Sequence, residues 1–186
     1  MEFLEYDNVR DVLKGLEVTE APDGDRMLFG LQDKDGVVHG LYIGPADGDA
    51  PEGYERSEAP KDKLGELVEE ILTRLHIGEA ALVPAKNWRA VLDLAAFDLA
   101  QDEMWQDIDA EAAMHQTNRD PLVLGPEARP LAGTIVKALC EHADAPDHEL
   151  TITSLDAPIV MTVRHTGSLE VLCPNAAVRQ RVGKAV

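Results

Sequence analysis

The sequence predicts an α+β fold in which an antiparallel sheet packs against about five helices. Apolar residues recur at three- and four-residue spacing in several segments, which is typical of amphipathic helices. Other segments alternate apolar and polar residues and follow one another through short turns, which favours antiparallel hairpins over parallel βαβ units. The 186 residues, 45% of them hydrophobic, are expected to form a single domain over 1–186, with a sub-division into 1–60 and 61–186 as the alternative.

The N-terminal third is predicted to contain one helix and one hairpin. Residues 7–16 place Val9 and Leu13 on one helical face. Residues 27–31 and 37–43 are predicted to be two paired strands, joined by a short loop over 33–36 that ends in a glycine. The acidic segment 44–60, rich in Gly and Pro, is predicted to be a loop.

The remaining two-thirds is predicted to be helical first and then a meander. Helices are expected over 61–76, over a long segment 87–116, and over 126–143. Three alternating segments, 149–154, 159–164 and 169–173, predict a three-stranded meander. Asn175 is expected to cap a short final helix.

The charge of the chain is strongly negative and unevenly distributed. Acidic residues outnumber basic residues 35 to 17, for a net charge of −18. Because phosphate contacts need clustered Lys and Arg, this balance excludes a general nucleic-acid binder and a protein that binds anionic membranes. Nearly all of the excess lies before residue 116. This excess of acidic residues indicates either solubility in a salty or crowded cytosol or an acidic docking face for a basic partner.

Cysteine usage and hydropathy predict a cytoplasmic protein. No basic segment followed by a long apolar run opens the sequence, and no window approaches 18 apolar residues. Cys140 and Cys173 each lie in an apolar run, which favours buried, reduced thiols. A disulfide between them is the alternative.

No familiar catalytic motif is present. The sequence contains no G-x-x-x-x-G-K-[ST], G-x-G-x-x-G, H-E-x-x-H or G-x-S-x-G. A catalytic function is therefore undecided, and a non-catalytic function is favoured.

Candidate metal ligands are concentrated in residues 140–149. Imidazole and carboxylate groups together suit a divalent transition metal such as Zn²⁺, Fe²⁺ or Mn²⁺. The predicted ligands are His142, Asp144, Asp147 and His148. The alternative is structural, with a histidine at a helix C-terminus and aspartates that favour a loop. His39, His76 and His165 are explained by a strand, a helix end and a solvated turn.

A second candidate site is a column of polar side chains on the long predicted helix. Its members recur every four residues and are Glu103, Asp107, Glu111 and His115. On a helix they would lie in one row, about 6 Å apart per step. Such a row could hold a metal, serve as an acidic interaction face, or be an ordinary solvated surface.

The leading functional hypothesis is a cytosolic, non-catalytic binding or adaptor protein that engages a basic protein partner through an acidic face. It requires no cofactor, nucleic acid or membrane. The alternative hypothesis is a small metal-dependent enzyme or metal-binding protein that uses residues 140–149. Homo-oligomerisation through a sheet edge or the long helix is a third hypothesis.

Overall fold

The computed structural model describes residues 1–31 and 36–186, and it shows an α+β fold. Within these residues there are six α-helices, a mixed eight-stranded sheet and a separate two-stranded antiparallel sheet. Most of the predicted hairpin loop, residues 33–35, lies outside the described residues.

The elements follow one another in this order along the chain. The helices are α1 (Tyr6–Gly15), α2 (Leu64–Arg74), α3 (Trp88–Leu99), α4 (Glu103–His115), α5 (Arg129–His142) and α6 (Ala176–Gly183). The strands are β1 (Glu2–Phe3), β2 (Val18–Asp23), β3 (Arg26–Leu31), β4 (His39–Gly44), β5 (Glu55–Glu58), β6 (Ala80–Pro84), β7 (Leu122–Leu124), β8 (Leu150–Ser154), β9 (Val160–Arg164) and β10 (Ser168–Cys173). Short 3-10 turns occupy Lys61–Lys63, Pro126–Ala128 and Pro146–His148.

The predicted meander forms the middle of the large sheet. Its strand order is β1-β7-β6-β8-β9-β10-β4-β5, and each meander strand begins within one residue of the predicted position. All neighbours are antiparallel except β4 and β5, which are parallel. The sheet is therefore mixed, and the expectation of a purely antiparallel sheet was wrong at that edge.

Successive side chains of the central strands enter two different cores. In β6, Leu82 packs into the core that α2, α3, α4, α5 and α6 help to form. Ala81 and Val83, its neighbours, pack into a second core with α1 and the β2–β3 sheet. This is the two-residue periodicity of a strand whose faces are both covered. The large sheet is thus the middle layer between five helices and a smaller α1–hairpin layer.

The predicted N-terminal hairpin is wrong in its pairing. β3 pairs with β2, through a turn in which Gly24 has φ +65°. Pro22 is tolerated in β2 because that strand lies at an edge, where a missing N–H is harmless. β4 pairs with β10 instead, so its apolar residues Leu41 and Ile43 join the main core.

The segment 44–60 is not the simple loop that was predicted. It contains β5, which lies at the outer edge of the large sheet. Arg56 orders the connection by donating hydrogen bonds to the carbonyls of Ala46, at 3.0 Å, and Gly48, at 2.6 Å. The ring of Tyr54 packs so closely over Gly40 that a Cβ there would lie 2.6 Å from it.

The single long helix predicted over 87–116 is broken into α3 and α4. The break falls at residues 100–102, where Asp102 leaves the helical conformation and its Oδ1 accepts a hydrogen bond from the Trp105 N–H at 3.0 Å. An aspartate N-cap of this kind starts a new helix. The new direction buries Trp105 to 5% exposure.

We expect the crossing of α2 and α5 to depend on Gly65. A Cβ at this position would lie 2.4 Å from the carbonyl oxygen of Gly133, so Gly65→Ala must push the helices apart. The free energy of unfolding, measured by urea titration, should fall by about 1–3 kcal/mol. Gly183→Ala in α6 is the matched control, since nothing lies within 4 Å of that added carbon. Equal stability of the two variants would contradict the close crossing.

Candidate functional site: the groove between α3 and α4

The break at residues 100–102 creates a groove between two capped helices. Asn87 caps α3, with its Oδ1 accepting from the Ala90 N–H at 3.1 Å, and Asp102 caps α4. The backbone N–H groups of Trp88 and Arg89 donate to the carbonyls of Asn118 and Gln116, which ties the start of α3 to the end of α4. These bonds fix the two helices that form the walls of the groove.

The α3–α4 groove has an apolar floor and a polar rim. Its volume is about 410 Å³, which is within the usual range of ligand-binding clefts. The floor consists of large and small apolar side chains, namely Leu92, Ala96, Leu99, Ala100, Trp105, Ala112 and Ala113. The rim consists of Asp93, Gln106, Asp109 and Gln116. Because alanines make up much of the floor, the backbone of a partner can approach closely.

The two helices that form the groove carry a large negative charge, of which Asp93 and Asp109 line the groove itself. Residues 88–116 contain seven carboxylates and a single arginine. None of these carboxylates forms an ion pair with a side chain of residues 1–31 or 36–186. Elsewhere in those residues, carboxylates such as Glu66 and Glu70 pair with nearby basic side chains.

Two large apolar side chains project into solvent on the same helices. Phe97 is 79% exposed and Met114 is 73% exposed, the highest values among large apolar residues in the described part of the chain. Phe97 follows the groove residue Ala96, and Met114 follows Ala113. Neither side chain lines the groove, but both add exposed apolar surface to the two helices that form it.

The polar column predicted on the long helix lies wholly within α4, but its last member differs from the others. Glu103 and Asp107 are exposed and Glu111 is half-buried. His115 instead stacks on the ring of Phe3 at 4.5 Å between centroids, and its Nδ1 lies 3.1 Å from Asp120 Oδ2. The column members lie outside the lining of the groove, so they could act only as its charged surroundings.

The predicted metal ligands at 142–148 are divided among separate contacts. The closest ion-pair contact of His142 is to Glu141, at 3.9 Å between Nε2 and Oε2. His148 Nδ1 lies 3.3 Å from Asp144 Oδ1, whereas Asp147 accepts a 2.6 Å hydrogen bond from Lys86 Nζ.

Metal binding at 142–148 therefore stays a prediction without geometric support. Within residues 1–31 and 36–186, no group of three or more His, Cys, Asp or Glu side chains is arranged to hold a metal ion. The chemistry of those four residues would still suit a transition metal.

Sequence reasoning missed the most buried carboxylate of the described residues. The side chain of Glu149 is 3% exposed, and it contacts three basic groups. Its Oε2 accepts hydrogen bonds from Arg164 at 3.0 Å and Arg26 at 3.3 Å, and its Oε1 lies 2.7 Å from His165 Nδ1. His165 lies in a turn, as predicted, but its side chain is bonded to Glu149 and is not simply solvated.

This Glu149 network joins the small sheet to the large one. Arg26 belongs to β3, whereas Arg164 belongs to β9 and also donates to Glu170 Oε2 at 2.7 Å. Burial alone would lower the pKa of Arg164, but the two carboxylates outweigh burial and raise it. The arginine therefore stays charged, and the cluster is largely neutralised within itself. One feature could have indicated part of this network: Arg164 and Glu170 lie on the same face of adjacent strands.

The two cysteines are free and buried, as predicted, which excludes the disulfide alternative. Burial raises the pKa of Cys140 to about 12 and that of Cys173 to about 12. Both thiols are therefore protonated near neutral pH and are poor nucleophiles.

We expect Glu149→Gln to destabilise the protein strongly. The change leaves Arg26 and Arg164 partly buried with one carboxylate fewer, and loss of a buried partner is costly. The free energy of unfolding should fall by about 2–4 kcal/mol in urea titrations. Glu66→Gln, which breaks the exposed pair with Lys63, is the control and should have little effect. If both variants unfold at the same urea concentration, the network contributes nothing.

We also expect the two thiols to react only when the chain unfolds. An unfolded cysteine has a pKa of about 8.5, so the thiols ionise more readily in the unfolded state. The raised thiol pKa values therefore make the free energy of unfolding depend on pH. Their contribution is fully present below pH 8.5 and is lost as the pH rises toward 12. At pH 8, Ellman's reagent should label native protein slowly and urea-unfolded protein at once. Cys140→Ala and Cys173→Ala assign the signals, and rapid labelling of native protein would contradict the burial.

Two further findings bear on function. In the described part of the chain, no helix is long and apolar enough to cross a membrane. Comparison with protein-family models, with curated proteins and with solved structures yields no match to this chain.

Proposed function

We propose that this chain is a non-catalytic binding protein whose α3–α4 groove holds a basic, amphipathic helix of a protein partner. The observation that carries the proposal is a groove with an apolar floor, two carboxylates in its rim, and five more carboxylates elsewhere on the helices that form it, none of them ion-paired with the described residues. Such a surface complements a segment with apolar residues on one face and Lys or Arg on its flanks. We also propose a cytoplasmic location, supported by the two free cysteines.

The dimensions of the groove favour a short helix. α3 has 12 residues and α4 has 13, so each wall is about 18–20 Å long at 1.5 Å per residue. A partner helix of about 12 residues would match this length. Its large side chains would pack on Leu92 and Trp105, and the alanine floor would let its backbone approach.

Charge argues against the other occupants. A second copy of this chain would bring another set of seven carboxylates against the first, and like charges repel at an interface. Nucleic acid and anionic membranes are disfavoured for the same reason. We therefore propose that the acidic face, including Glu103, Asp107 and Glu111, steers a basic partner toward the groove.

A designed helical peptide of 14 residues, with leucines on one face and lysines on the other, should bind the protein. We expect saturable binding by isothermal titration at low salt and a steep loss of affinity as salt rises, because the charges are exposed. A peptide of the same composition in scrambled order is the control for charge alone. Equal affinity of the two peptides would contradict the proposal that the groove binds an amphipathic helix selectively.

The variant Ala96→Trp should block this binding. The indole would fill the groove without a change of charge, and we expect at least tenfold weaker binding of the leucine–lysine peptide. Ala110→Trp is the matched control, because Ala110 is an exposed alanine of α4 outside the groove lining. If both tryptophans weaken binding equally, or neither does, the peptide does not bind in the groove.

A further inference from the structure

A second cavity lies between α1 and the β2–β3 sheet, on the opposite side of the large sheet from the helical core. Its volume is about 180 Å³. The floor consists of Leu13, Val18 and Phe29, each no more than 6% exposed. We call it the α1–hairpin pocket. It is separate in lining and in charge from the α3–α4 groove.

The α1 side of this pocket carries two cationic side chains in a strongly acidic chain. Arg10 and Lys14 both line it, and they are one helical turn apart. Lys14 forms no ion pair with residues 1–31 or 36–186. Arg10 pairs through Nη2 with Asp7, at 2.9 Å, but Asp7 is largely solvent-exposed.

A buried donor of Arg10 has no hydrogen-bond partner among the described residues. Its Nε is buried and unpaired, and an unsatisfied buried donor is costly. The Arg10 side chain as a whole is 36% exposed, so a ligand in the pocket would meet its accessible part, and a carboxylate suits a guanidinium best.

The β2 side of the pocket carries a hydroxyl and a carboxylate. Thr19 and Glu20 line this rim. Glu20 Oε1 already accepts a hydrogen bond from the Tyr6 hydroxyl at 2.8 Å. The pocket therefore offers cations along one side, an apolar floor, and one anion along the other side.

We propose that the α1–hairpin pocket binds a small carboxylate with a branched aliphatic body. The carboxylate contacts Arg10 and Lys14, and the body packs on Leu13, Val18 and Phe29. The same chemistry occurs in a free carboxylic acid and in an apolar amino acid. Glu20 separates the two sources, because it would attract the ammonium group that only the amino acid carries.

The test uses 4-methylpentanoate, its uncharged analogue 4-methylpentanamide, and leucine, which adds an ammonium group to the same body. Binding to the full chain is followed by NMR shifts of backbone amides. We expect saturable binding of the acid with a dissociation constant of about 1 mM. The shifts should centre on Val18 and Phe29, and the amide should bind at least tenfold more weakly. Tighter binding of leucine than of 4-methylpentanoate would identify the ligand as an amino acid. Weaker binding of leucine than of 4-methylpentanoate would identify it as a simple carboxylic acid.

The double variant Arg10→Gln with Lys14→Gln should weaken binding at least tenfold. Lys137→Gln with Lys184→Gln is the matched control, since it makes the same charge change at two exposed lysines outside the pocket. The control should bind within twofold of the wild type. The proposal is overturned if no ligand saturates, if the amide binds as well as the acid, or if both double variants weaken binding equally.

Discussion

The architecture depends on burial of the central strands from both faces. β6, β7 and β9 send alternate side chains into two separate cores, so neither face of these strands can be left to water. Five helices, α2 to α6, contribute to the core on one face, and α1 with the β2–β3 sheet covers part of the other. The Glu149 network and the α1–hairpin pocket are consequences of this second layer, because they lie where the small layer meets the large sheet or within the small layer itself.

The α3–α4 groove arises because the helix breaks before Asp102 and Trp105 is buried in the core. A continuous helix over 87–116 would carry Trp105 past the core, whereas the Asp102 cap restarts the helix with Trp105 buried. The two helices then share a shallow groove instead of one straight face. Their acidic residues have no ion pairs with the described residues. The mutual repulsion of these charges is the cost that a basic partner would relieve.

The elements that could be predicted from the sequence are those in which buried apolar residues recur at a regular spacing. The meander was predicted nearly to the residue because each strand alternates and Gly167 permits a tight turn at φ +76°. β2 and β5 were missed because edge strands are largely exposed and show little alternation. The break before Asp102 was missed because no Gly or Pro marks it. The groove itself could not be predicted, since it depends on the relative placement of two helices.

The most direct test of the account is hydrogen–deuterium exchange of the full chain with and without the leucine–lysine peptide. We expect binding to slow amide exchange in α3 and α4, including the turn at 100–102, where the backbone lies beside the groove. Exchange in α2 and α5, which form a polar crossing lined by four carboxylates and two lysines, should stay unchanged. Protection spread over all acidic surfaces, or protection at α2 and α5 alone, would contradict the assignment of the groove as the binding site.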